Sequence, residues 1–176
     1  MAQIVDATHF AAEYHRAQRR KSRADDESHR IPYINHPIRV AALLVFEGGV
    51  TDPIALQAAL LHDTIEDTIA KPGQLSSRFG DAVRATVMAV TDDKSLPKAE
   101  RKRLQIEHAP RMPTAAALVK LADKIDNLRD LGVAPPDWPL DRIRGYFDWA
   151  EAVVGALPAV SPSLLRAFEE SMRARP

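Results

Sequence analysis

His62 and Asp63 stand side by side in the run LQAALLHDTIEDT, and Glu66 and Asp67 follow one helical turn later. On a helix Glu66 lies i+4 from His62, and Asp67 lies i+4 from Asp63, so these side chains share adjoining parts of one face. Three carboxylates converge with an imidazole within two turns, and the ionised carboxylates repel one another. A divalent cation is the simplest remedy. The apolar residues around them make a solvated acidic face a poor alternative, because an ionised carboxylate is costly to bury without compensation.

Further ligands must come from other segments. His36 opens an apolar ladder of Ile38, Val40, Ala41, Leu43 and Leu44, and Asp123 interrupts LVKLADKIDNL with Asn127 one turn on. Each has a bland reading alone: His36 as a structural hydrogen-bonder, Asp123 as an ion pair with Lys120 or Lys124. Together His36, His62, Asp63 and Asp123 form a mixed N/O set suited to one Mn²⁺, Fe²⁺, Zn²⁺ or Mg²⁺-like ion. Four protein ligands leave positions on an octahedral metal for water and substrate, which is the pattern of a catalytic site. Such an ion acidifies water to near neutrality, and Glu66 and Asp67 are near enough to orient it and move its proton.

The elements that must position these residues are helical. Ile4, Phe10, Ala11, Tyr14 and Ala17 mark one face of a first helix that ends in Arg19-Arg20-Lys21, where a helix C-terminus favours cations. Residues 22–35 are polar, contain Pro32 and read as a loop. A second helix starts near His36-Pro37 and stops at Gly48-Gly49; Thr51 or Asp52 then caps a third, which runs through His62 and Asp63. Shorter helices are predicted at 72–79 and 81–90, broken at Gly80, and at about 97–108. A second strongly apolar helix covers 114–131 and is stopped by Gly132 and Pro135-Pro136; two more cover about 139–156 and 162–173. No segment alternates as a strand does. The expected fold is all-α, a single-domain helical bundle of eight or nine helices over residues 1–176.

Composition narrows the function classes. Lys plus Arg and Asp plus Glu number 24 each, a balance unsuited to coating nucleic acid or an anionic membrane. Cysteine is absent, which removes thiolate metal sites, disulfides and cysteine nucleophiles. The N-terminal MAQIVDATHF has no basic region before an apolar core, and no apolar run approaches the roughly 20 residues of a membrane span. A cytoplasmic enzyme with a small-molecule substrate and no protein partner is expected. Arg101-Lys102-Arg103 reads as a solvated face, His9, His15, His29 and His108 as structural or surface residues, and Trp138, Phe147 and Trp149 as core.

Seven collinear stretches carry a resemblance: AQRRKS, PYINHPIRVA, LQAALLHDTIEDT, RFGDAV, VTDDKSLPKAERKRLQ, LVKLADKIDNLRDL and RIRGYFDWA. Over most of its length the chain resembles the hydrolase domain of RelA/SpoT alarmone enzymes, and in particular the free-standing small alarmone hydrolases with their HD-type domain. The resemblance implies Mn²⁺-dependent removal of the 3′-diphosphate from guanosine 3′,5′-bis(diphosphate) or its pentaphosphate relative. It implies metal ligation by His36, His62, Asp63 and Asp123, with Glu66 and Asp67 as the water-activating pair. It places Arg20, Lys21 and Asn127 at substrate contacts, Tyr33 beside the pocket entrance, and Lys98, Arg142 and Tyr146 at further phosphate or ribose contacts. Removal of the 2′-phosphate of NADPH is the alternative activity it implies, and a non-catalytic nucleotide sensor is a third reading. No nucleotide-synthesising domain is expected. Two features depart from the family pattern: a longer segment between Lys21 and Pro32, and Asp126, whose charge would either alter substrate preference or face solvent.

Overall fold

The computed structural model describes residues 1–21, 31–159 and 161–176. The longer segment between Lys21 and Pro32 therefore lies largely outside the described residues, as does His29. The described chain forms α1 (Ala2–His15), α2 (Asn35–Phe46), α3 (Pro53–Leu61), α4 (Thr64–Asp67), α5 (Pro72–Phe79), α6 (Asp81–Val90), α7 (Lys98–His108), α8 (Thr114–Val133), α9 (Leu140–Ala156) and α10 (Pro162–Met172). A 3-10 turn, Ala109–Arg111, follows α7. Among the described residues there is no strand, only an isolated antiparallel bridge between Arg19 and Pro32. No helix there is long and apolar enough to cross a membrane.

The all-α expectation is borne out, and the element boundaries follow from local chemistry. Asp52 caps α3 by accepting from the Ile54 amide at 3.0 Å, with Pro53 at the first helical position. Gly80 separates α5 from α6 at φ +88°, a left-handed conformation that a residue with a side chain rarely adopts. Ser161 caps α10 through the Leu164 amide.

Two helices are central. The α3 helix packs against α1, α2, α6 and α8, and α8 packs against α2, α3, α6, α9 and α10. Both carry apolar side chains around much of their circumference, as an enclosed helix must. Leu60, Leu61, Leu121, Ile125 and Leu128 are all buried. Phe147 of α9 is fully buried in the same core, so Phe147→Ala is expected to destabilise the fold by about 3–5 kcal/mol. A urea denaturation midpoint measured against the parent protein checks this.

The helix expected to stop at Gly132 runs on to Val133, and two other boundaries differ from expectation in ways that shape the site. The first helix ends at His15, short of the basic cluster. Arg20 instead donates its amide to the Ile31 carbonyl at 2.9 Å, and the Tyr33 amide donates to Gln18 at 3.0 Å. Antiparallel pairing therefore holds this stretch extended, and the helix-end explanation of Arg19-Arg20-Lys21 fails. The third helix also stops early, at Leu61, so His62-Asp63 forms a turn rather than a helix interior. There Thr64 Oγ1 donates to the Leu61 carbonyl at 2.6 Å, and His62 Nδ1 donates to the Ala59 carbonyl at 2.7 Å. Side chains thus serve carbonyls at the helix end that lack a following amide partner.

Candidate metal centre and adjoining cavities

Three separate segments bring four side chains together, His36, His62 and Asp123 in one close group and Asp63 beside the two histidines. His36 comes from the first turn of α2, His62 and Asp63 from the turn after α3, and Asp123 from the middle of α8. His36 Nε2 lies 3.2 Å from Asp123 Oδ1 and 3.6 Å from Asp63 Oδ2. His62 Nε2 lies 3.2 Å from Asp63 Oδ2 and 3.8 Å from Asp123 Oδ1. One ligand atom each from His36, His62 and Asp123 falls within a common 4.8 Å.

The donor chemistry fits a divalent cation. A carbonyl can only accept, so His62 Nδ1 must carry a proton toward Ala59, and in the neutral ring the lone pair is then on Nε2. That Nε2 is buried and has no hydrogen-bond partner. Buried polar atoms are rarely left in that state without a functional reason. His36 is arranged alike: Nδ1 meets Asp126 Oδ2 at 2.6 Å, while Nε2 faces the cluster. Two imidazoles with occupied Nδ1 atoms therefore turn Nε2 toward two carboxylates.

Electrostatics agree. Burial opposes ionisation of Asp63, yet the adjacent His62 and His36 prevail and hold its carboxyl well below the usual range. Asp123 is held low in the same way, against burial, by Lys124 and the two histidines. His62 is pushed up to about 9 because Asp63 and Asp123 outweigh its desolvation. A metal must displace that proton, since only the neutral imidazole ligates. Between pH 6.5 and 8, divalent-metal binding is expected to release about one proton from His62 and to tighten as pH rises toward about 9. Calorimetric titration in buffers of different ionisation enthalpy counts the protons; a buffer-independent heat would contradict the assignment.

Glu66 and Asp67 sit on the short α4 at the edge of the cluster. Glu66 accepts the Asp92 amide at 2.9 Å and lies 3.9 Å from both Lys94 and Arg101. Burial, aided by Asp92, Asp63 and Asp67, raises its proton affinity despite the Asp92 amide. Asp67 pairs with Lys94 and accepts weakly from Tyr33 Oη at 3.4 Å. Tyr33 donates its main hydrogen bond to Asp63 at 2.6 Å, and burial next to that carboxylate keeps the phenol protonated.

A cavity of about 560 Å³ opens beside this cluster, lined among others by Arg20, Lys21, Tyr33, Asp67, Asn127 and Tyr146. That volume lies within the range of small-molecule sites. Asn127 connects it to the metal centre, donating to Asp123 Oδ1 at 2.6 Å and accepting from Arg20 at 2.9 Å. Arg20 also donates to Asp130 at 2.7 Å. A second cavity, about 220 Å³, shares Lys21, Trp138 and Tyr146 with the first and adds Lys98, Arg101, Lys102 and Arg142. Among the described residues, five cations line it against one carboxylate, Asp92. Burial and the neighbouring Arg142, Lys21 and Arg101 depress the Lys98 ammonium. Such crowded cations suit a polyanion.

Several sequence readings need correction. Arg101 and Lys102 are not a solvated face; they line the second cavity, and only Arg103 is turned outward, between Glu100 and Glu107. The signal was available, because Lys98, Arg101 and Lys102 recur at i, i+3, i+4 and share one helix face. Trp138 is half-buried and lines both cavities, with the Arg142 guanidinium 3.9 Å from its ring centroid, so it is not core. Phe147 is core as expected. Asp126 does not face solvent: it is 3% exposed and bonded to His36 and Arg39. Sequence reasoning missed Arg39 and Lys94 altogether.

Comparison with known proteins gives this geometry a family. The profile of the HD domain matches residues 7–143. The chain belongs to the HD-domain family. Within it, the human guanosine-3′,5′-bis(diphosphate) 3′-pyrophosphohydrolase MESH1 is 50% identical over 99% of this HD-domain chain and 95% of its own length. The Xenopus tropicalis protein of the same name is 54% identical over 89% of this chain and 85% of its own. A solved structure of a metazoan SpoT orthologue, described as hydrolysing ppGpp, superposes with a TM-score of 0.92 at 45% identity, covering 99% of this chain and 96% of that one.

Proposed function

We propose that this HD-domain protein is a guanosine-3′,5′-bis(diphosphate) 3′-pyrophosphohydrolase that uses one Mn²⁺ ion held by His36, His62, Asp63 and Asp123. The observation that carries the reading is the buried His62 Nε2, without a well-aligned hydrogen bond, grouped with His36 and Asp123 and close to Asp63, beside a cavity lined by Arg20 and Lys21. The activity of similar proteins that align over nearly the whole chain supports it. When bound, the ion supplies Lewis-acid polarisation and lowers the pKa of water.

The residues of the chain do the rest. Glu66, whose proton affinity is raised, accepts a proton from the attacking water. Asp67, fixed by Lys94 and Tyr33, orients that water. The water oxygen bonds to the phosphorus attached to O3′, the phosphorus–O3′ bond breaks, and O3′ takes the proton back from Glu66. GDP and pyrophosphate leave, or GTP and pyrophosphate from the pentaphosphate relative. Arg20 and Lys21 meet phosphate in the larger cavity, with Asn127 holding Arg20 and the Tyr33 ring forming a wall. Lys98 and Arg142 take the remaining diphosphate in the smaller cavity, with Tyr146 between the two. Charge developing on the phosphoryl oxygens is thereby met by fixed cations. A cytoplasmic location is part of the same proposal, since a cysteine-free chain suits a reducing compartment.

The test is turnover by the full chain freed of metal and reloaded with Mn²⁺, following GDP and pyrophosphate by chromatography. Stoichiometric formation of both supports the reading; no product from the alarmone overturns it. NADPH assayed in parallel reports on 2′-phosphatase activity, and a higher kcat/KM for NADPH would reassign the substrate.

A further inference from the structure

The His36 imidazole is bracketed by two carboxylates from one helix. Asp123 and Asp126 lie i, i+3 on α8 and so on adjoining parts of one face. Asp123 Oδ1 approaches Nε2 at 3.2 Å, while Asp126 Oδ2 approaches Nδ1 at 2.6 Å. Asp126 is 3% exposed, and an ionised carboxylate in that position requires compensation. Arg39 supplies it with two hydrogen bonds, Nε to Oδ1 at 2.6 Å and Nη2 to Oδ2 at 3.0 Å. Arg39 lies i+3 from His36 on α2, so the same helix that presents the imidazole also anchors the carboxylate behind it. Arg39 further shares Asp130 with Arg20. The network therefore ties the back of the metal centre to the cation proposed to meet substrate phosphate.

We infer that Asp126, held in place by Arg39, is a positioning residue that fixes His36 with its proton on Nδ1 and its lone pair on Nε2, and so tightens divalent-metal binding. This rests on the metal reading above. The physical reason is general. A ligating imidazole whose other nitrogen donates to a carboxylate is held in one tautomer and one ring orientation, and it is a more basic ligand. His62 lacks this arrangement, because its Nδ1 donates to the neutral Ala59 carbonyl. The two histidines are thus unequal, and the charged partner belongs to His36 alone. A purely structural ion pair between α2 and α8 would involve the same contacts but would act on folding, not on metal affinity.

The experiment titrates MnCl₂ into the full metal-free chain and into Asp126→Asn, with thermal melting of both metal-free proteins. The expected result is a Kd for Mn²⁺ weaker by about 10- to 100-fold in the variant, with partial rescue in Asp126→Glu. A Kd within twofold of the parent, whatever happens to the melting temperature, overturns the inference while leaving the metal site standing. A parent chain that binds no Mn²⁺ overturns both. A measurement that needs no variant guards against misfolding of Asp126→Asn. In the parent loaded with diamagnetic Zn²⁺, the His36 Nδ1 proton should resonate far downfield, as a proton held by a carboxylate does. An Nδ1 proton at the ordinary imidazole position overturns the inference as well.

Discussion

His62→Ala is expected to lose stoichiometric metal and to lower kcat by about 10³-fold or more, since Lewis-acid stabilisation contributes several kcal/mol to a phosphoryl transition state. His62 Nε2 is buried and makes no well-aligned hydrogen bond, its neighbours being the Asp63 and Asp123 carboxylates that would share the metal with it. Its removal also leaves Asp63 and Asp123 close together, with His36 and Lys124 as the neighbouring groups among the described residues that offset their charge. Metal content by mass spectrometry, read alongside turnover, separates loss of the ion from loss of folding. Thermal melting adds an independent readout. The parent should gain about 2.7 kcal/mol of stability at a hundredfold excess of Mn²⁺ over Kd, and the variant should gain nothing. A variant that keeps both its metal and its turnover would remove the basis for the proposed chemistry.

Glu66→Gln should show the complementary pattern: metal retained, kcat lower by about 10²–10⁴-fold. The substitution is nearly isosteric, and its amide oxygen can still accept from the Asp92 amide, so the local backbone need not move. What disappears is the group that takes the proton. Burial, with the nearby carboxylates, raises the Glu66 pKa in the parent. A base works only when deprotonated, so parent activity should climb as pH rises through that elevated pKa. In Glu66→Gln this acidic limb should vanish and leave a low, flatter profile. A pH–rate profile with its acidic limb unchanged in the variant would transfer the role of base to another group.

Much of the architecture is written in local pattern. Apolar spacing, Asp52, Pro53 and Gly80 act within a turn or two of themselves, so helix-by-helix reading works from order alone. The HDTIEDT run was similarly legible, because charge crowded among apolar neighbours conflicts with burial unless something offsets it. Where the reading failed, a non-local partner had intervened. Arg19 reads from its order as a helix-end cation because nothing in that stretch announces the pairing of residues 18–20 with residues 31–33. The third helix was carried through His62 because helix propensity says nothing about side chains that take its last carbonyls.

By itself, then, the amino-acid order determined an all-α chain and marked its chemically costly residues: His36, His62, Asp63, Glu66 and Asp123. Only the packing of α2, α3 and α8 decided that two imidazoles and two aspartates from three segments share one centre. The same packing decided that Asp126 sits behind His36, and that Arg101 and Lys102 line a cavity. The reason is that spacing along a helix fixes which side chains share a face. Which faces meet depends on contacts between residues far apart in the chain, 90 positions between His36 and Asp126 and 110 between Arg20 and Asp130, and no local pattern encodes that.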